Sequence, residues 1–236
     1  MFKKLLIVAV SAAMLALVSI GAAIAVGGPE IQMALEDGEF EWTAEMEDYD
    51  GPIGTKDFVF DSTRELTIEV PVEMRFERSD TVSMKVEGPQ DAIDDLVYEN
   101  GKLDLRGSGH RLGKGLKLTI TAPKLTGLRL EAPGDVELVQ LDQDAFEIHS
   151  EGAADVNASG RVGSLTLVAD GAADFDFEEV SAKDATIEIN GAGDIDISAT
   201  GSVAIEINGA GSVTLHAKPT NLKSEINGIG SVDHSY

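Results

Sequence analysis

The 236-residue chain has no cysteine, and this excludes disulfides, thiolate metal sites, cysteine nucleophiles and a lipid-modified N-terminal cysteine. Aromatic residues are scarce, at 5%, while Val, Ile, Leu and Ala dominate the 43% that is hydrophobic. That balance suits thin stacked strands better than one bulky core. Positive charge is also in short supply: 18 Lys and Arg against 42 Asp and Glu leave a formal net charge of −24. A field of that sign repels phosphate backbones and anionic lipid surfaces, so nucleic acid is excluded as a partner. Proline is sparse at 7 residues and glycine abundant at 25, so turns are many and the chain is no Pro-rich linker.

What is present begins with an export signal. Lys3 and Lys4 precede an uncharged run from Leu5 to Val26, and Ala23-Ile24-Ala25 supplies a small-x-small cleavage pattern. Residues 1–25 are therefore expected to be a signal peptide. A retained anchor is the competing reading, and it would be the chain's one contact with a membrane. In either case the remainder is expected outside the cytoplasm, periplasmic or at the cell surface. Residues 26–55 form an acidic lead-in, and residues 56–236 the folded domain.

From Lys56 to Arg106 the pattern alternates with period two, as half-buried strands do. Thr67 to Val72 reads as one strand, Val82 to Val86 as another, and Leu116 to Thr121 as a third. Asn100-Gly101 is the signature of a two-residue hairpin turn ahead of the strand at Leu103. Residues 107–115 are Gly-rich and basic but lack P-loop spacing, so they read as a loop between strands.

The strongest signal is a repeat. Gly-rich corners followed by Asp or Ser place Asp135, Asp155, Asp174, Asp194, Ser212 and Ser231 at intervals of 20, 19, 20, 18 and 19 residues. Seven and five places earlier stands an apolar pair such as Leu128/Leu130, Ile187/Ile189 or Ile205/Ile207. A fixed period near twenty with no helical stretch predicts stacked coils of strands. The predicted fold is all-β: a right-handed parallel β-helix, a solenoid of ~19-residue coils over 126–236, capped by N-terminal strands over 56–121. Six coils at ~4.8 Å per strand would stand ~29 Å tall. Gly at the corner is expected to permit positive φ.

Several stretches together resemble one family. They are Val86-Glu87-Gly88 through Leu103, then Ile120-Thr121-Ala122-Pro123-Lys124-Leu125, then the triplet of Ile-Asn-Gly corners at Asn190, Asn208 and Asn227. The sequence resembles the putative auto-transporter adhesin head GIN domain family of exported bacterial proteins. The resemblance covers roughly residues 55–236. It implies a parallel β-helix-like fold and an exported location, and it brings no catalytic residues.

Two readings compete for the Asp row. Stacked carboxylates repel unless a hard cation such as Ca²⁺ neutralises them, so Asp135, Asp155, Asp174 and Asp194 are calcium candidates. Alternatively each Asp or Ser caps its turn through local backbone N–H groups, and the exchange for Ser in the last two copies favours that. Asn190, Asn208 and Asn227 are expected to stack as an amide ladder, with Glu131, Glu151 and Asp170 at the same position in earlier coils. No catalytic residue and no cofactor is assigned, and apart from the calcium candidates no metal. His110, His149, His216 and His234 are scattered without metal spacing.

The favoured function is an exported, non-catalytic adhesion or scaffold module of the bacterial envelope, binding an envelope protein or a glycan. The alternative is a carbohydrate-active β-helix enzyme drawing on Asp176, Glu178, Glu179 and Asp184. Self-association through the open coil end is a third reading.

Overall fold

A computed structural model describes residues 51–107, 112 and 115–236. The export signal, the lead-in up to residue 50, and most of the 107–115 loop, His110 included, lie outside the described residues.

Alternating apolar and polar residues put one side of each strand indoors, and corners every nineteen or so residues bring the next strand back beside the last. The outcome is a parallel β-solenoid in a single 16-stranded sheet. Three long bent strands, β9 (Gly134–Ser150), β10 (Ala153–Ala169) and β11 (Ala172–Ile189), each wind almost a whole coil. Later coils break into shorter strands. β12 (Ala192–Ala199), β14 (Ala210–Leu215) and β16 (Ile229–His234) continue one row of the stack. β13 (Ser202–Ile207) and β15 (Asn221–Ile226) continue the other. β8 (Gly127–Leu130) belongs to that second row, in parallel register with the end of β9.

The predicted cap differs from the observed one. Thr67 to Val72 is not one strand: β2 (Leu66–Ile68) and β3 (Val72–Arg78) lie either side of a corner at Glu69-Val70-Pro71. β2 pairs in parallel with β8, and β3 in parallel with β9, so this stretch is itself a coil. β6 (Lys102–Leu105) and β7 (Leu116–Ala122) pair in parallel with β2 and β3 and make one coil more. β6 and β7 are joined through the Gly-rich 107–115 segment, most of which lies outside the described residues. Chain order and stacking order therefore differ here, because residues 66–78 sit between 102–122 and 127–139.

The true cap is β4 (Ser83–Pro89), the short helix α1 (Gln90–Asp95) and β5 (Leu96–Glu99). β4 and β5 run antiparallel to β7 and β6, and β1 (Ile53–Phe58) lies antiparallel outside β4. α1 buries Ala92 and Ile93, and Lys56 Nζ donates to the carbonyls of Ile93 and Leu96 at its C-terminal end, at 3.2 and 2.7 Å. The β5–β6 turn has Asn100 at φ 57° and Gly101 at φ 87°, the two left-handed residues a type I′ hairpin requires.

Inside, equivalent positions stack in files. Met74, Val136, Val156, Phe175, Ile195 and Val213 form one, and Phe76, Leu138, Ala158, Phe177, Ile197 and Leu215 form its neighbour, all buried. Large residues sit opposite small ones: Phe146 packs over Phe177 at 6.5 Å, where Ala158 leaves room in the coil between.

Candidate functional site

The alternation that sends Val136 or Ile195 inward sends its neighbours outward, and parallel register lines those neighbours up. Asp135, Asp155, Asp174 and Asp194 pair rung to rung, preceded by Glu73 and followed by Ser212 and Ser231. Two residues further along, Glu137, Asn157, Asp176 and Asp196 form a second file. The outward positions of β9–β12 on this face carry Asp135, Glu137, Asp155, Asp174, Asp176, Glu178, Asp194 and Asp196, with no Lys or Arg among them. The face is flat because it is a sheet surface. Bases stand at its borders: Arg75 on β3 pairs with Glu137, and His216 at the end of β14 meets Asp196 at 2.6 Å and Glu178 at 3.4 Å.

Crowding of like charge shows in the middle of the file. Burial of the Asp174 carboxyl, followed by the fields of Asp155, Asp194, Asp196 and Asp176, pushes its pKa above the ordinary 3.8. At the end of the file Ser212 relieves this, its hydroxyl donating to Asp194 Oδ1 at 2.5 Å.

The turn-capping reading is corrected by these positions. The Asp residues sit within strands, beyond the corner, and two of them accept from side chains: Asn157 donates to Asp155 at 3.1 Å, and Ser212 to Asp194. The calcium candidates are aligned, yet among the described residues no group of three or more His, Asp or Glu converges in a geometry that could hold a metal ion.

A second line of polar groups runs down the corner before this face. Asn190 donates to Asp170 at 2.8 Å, Asn208 to Asn190 at 3.0 Å, and Asn227 to Asn208 at 3.1 Å. The predicted ladder is thus one rung longer, ending on a carboxylate. It continues upward through side chains the sequence reading left unconnected. His149 Nε2 lies 2.6 Å from Asp170, Arg129 lies 2.6 Å from His149 Nδ1, and Arg129 also pairs with Glu65 and Glu151 at 3.0 and 3.3 Å. Hydrogen bonds from Asn190 and then His149 hold Asp170 below its ordinary range. At the top of the corner, a hydrogen bond shared with Glu69 raises Glu131, while Lys102 lowers Glu69.

The acids named for an enzyme do not all converge: Asp176 and Glu178 share the flat face, and Asp184 stands apart from them. Asp176 accepts the backbone N–H of Glu178 on the flat face, while Asp184 accepts that of Ser202 on another side of the coil. A shallow groove of about 850 Å³ lies on that side, lined by Lys124, Asp142, Asp144, Arg161 and Lys183. There Arg161 holds the Asp142 carboxyl below its ordinary range.

Comparison with known proteins agrees with this architecture. Residues 64–219 match the family model described as "Putative auto-transporter adhesin, head GIN domain". A crystal structure of a putative adhesin from Bacteroides fragilis superposes with a TM-score of 0.63 at 19% identity, covering 78% of this chain and 97% of that one. A putative adhesin and a putative lipid binding protein, both from Parabacteroides distasonis, align over the same 78% of this chain and 98% and 97% of their own. They share 17% and 16% identity, and their TM-scores of 0.42 and 0.40 are too low to carry an argument. No curated protein matches the sequence.

Proposed function

The chain belongs to the putative auto-transporter adhesin, head GIN domain family. From that premise we propose that it is an exported, non-catalytic adhesion or scaffold module whose flat acidic face engages its partner. The observation that carries this reading is the pair of carboxylate files on β9–β12, seven acids that with Glu178 make eight on one sheet surface with no base among them. Such a surface attracts an envelope protein or glycan bearing positive charge, and Ca²⁺ would serve as a bridge to an anionic one. The Lys3–Val26 segment supports export.

A polysaccharide-cleaving enzyme needs two carboxylates converging across a cleft, one of them held protonated. Here the raised carboxyls are Asp174, on a flat ladder, and Glu131, beside Glu69 on the corner; neither lines the groove, where Asp142 is lowered. Those placements favour the binding surface.

The test is retention of the purified chain on immobilised envelope proteins and glycans, with salt and calcium varied. Binding should weaken as the screening length falls from ~10 Å at 0.1 M to ~3 Å at 1 M salt. The triple variant Asp155→Asn/Asp174→Asn/Asp194→Asn should bind about tenfold more weakly. Binding unaffected by either, or turnover of a polysaccharide, would contradict the proposal.

A further inference from the structure

The two ends of the solenoid are unlike. At one, α1 and the antiparallel strands β4 and β5 close over the interior. At the other, β15 and β16 have neighbours in the preceding coil and, among the described residues, none beyond it. The side chains of β15 that occupy interior files are uncovered there: Leu222 is 40% exposed and Ile226 42%, whereas their equivalents Val203 and Ile207 one coil earlier are buried. Ile229, just past the corner, is 64% exposed. An aliphatic layer with an unpaired strand edge is a template for another strand.

The sequence of β15 says which strand. In a parallel ladder alternate residues direct both backbone groups to the same side. Asn221 and Asn227 donate back to Gly201 and Ile207, so the odd-numbered residues face β13. Leu222, Ser224 and Ile226 therefore present N–H and C=O to the open edge. We infer that β15 pairs antiparallel with β15 of a second copy of this chain about a two-fold axis at Ser224, joining two solenoids by their open ends. In this register Ser224 faces Ser224 of the copy, and Leu222 faces Ile226, so each open-edge residue both gives and takes one backbone hydrogen bond. Leu222 and Ile226 close the aliphatic layer. On the outer surface Lys223 falls opposite Glu225, twice by symmetry. Asn221 falls opposite Asn227. An isologous interface requires just such self-complementarity, and at the other end, among the described residues, α1, β4 and β5 lie over the interior files.

Sedimentation equilibrium of the chain from micromolar to submillimolar concentration tests this. A monomer–dimer equilibrium is expected. Lys223→Glu should weaken it about tenfold by placing carboxylates face to face, and adding Glu225→Lys should restore it. Ser224→Pro removes a single N–H, one that points away from β13, so it should abolish the dimer with little change in the unfolding midpoint. A chain monomeric throughout, with the edge covered by residues 1–50 or by solvent, overturns the inference. So does association that ignores the charge swap and the proline.

Discussion

At the corners of the coils, Gly171, Gly191, Gly209 and Gly228 stack one above another, and their backbone is not in the left-handed region the sequence led us to expect. What demands glycine is contact. A Cβ on Gly209 would fall inside the carbonyl oxygen of Gly191 one coil away, and Gly191 stands in the same relation to Gly171. Gly209→Ala should therefore cost roughly 2–3 kcal/mol in urea unfolding. Gly134→Ala should be nearly neutral, because its Cβ would meet only side-chain carbons of Val72 and Leu130 at 3.5–3.7 Å. Two carboxylates should behave oppositely with pH. Asp174 titrates above 3.8 in the folded chain, so the native state binds more protons than the unfolded one, and stability falls as pH rises through that interval. Asp174→Asn should raise the melting temperature at neutral pH and lose its benefit below about pH 4. Asp170 titrates below 3.8, so its contribution is present above that value and lost as pH falls through the folded pKa. Asp170→Asn should lower the melting temperature at neutral pH, with little effect in strong acid. Thermal melts across pH check both signs.

Among elements, the asparagine ladder shows how coils are tied together outside the core. Asn208 donates to Asn190 above and to Glu206 beside it, and accepts from Asn227 below. Asn208→Ala should cost about 1 kcal/mol, and the double variant with Asn190→Ala should cost less than the sum, since the two share a bond. The ladder, the interior files and the Asp row were all legible in the sequence because each recurs at one period along consecutive coils. The coils β6–β7 and β2–β3 were not. They stack out of chain order, and one has its two strands, Lys102–Leu105 and Leu116–Ala122, separated by a longer stretch of sequence, so no constant spacing marks them. In hindsight Ile68-Glu69-Val70-Pro71 beside Leu130-Glu131-Ala132-Pro133 was the available signal. The Arg129–His149–Asp170 line was hidden for another reason: its members are ordinary outward residues until register sets them side by side. The Asp row was legible as a row, yet its role was misread, because sequence spacing did not reveal that the corner ends before the Asp.

For the molecule as a whole, stacking turns a local bias into a surface property. A net charge of −24 spread over loops would be a diffuse field. Wound into coils, part of it becomes a flat pair of files bordered by Arg75 and His216, and among the described residues the last coil leaves β15 at an open edge. The acidic face, the amide ladder and the two-fold pairing all require residues near twenty apart to lie one rung apart. Nitroxide labels at Asp135→Cys and Ser231→Cys, five rungs apart in one file, measure that directly by dipolar spectroscopy, with unlabelled chain added to suppress distances between copies. At ~4.8 Å per rung the predicted result is a single narrow distribution centred near ~24 Å. A broad distribution, or one centred beyond about twice that distance, would contradict the stacked register on which the account rests.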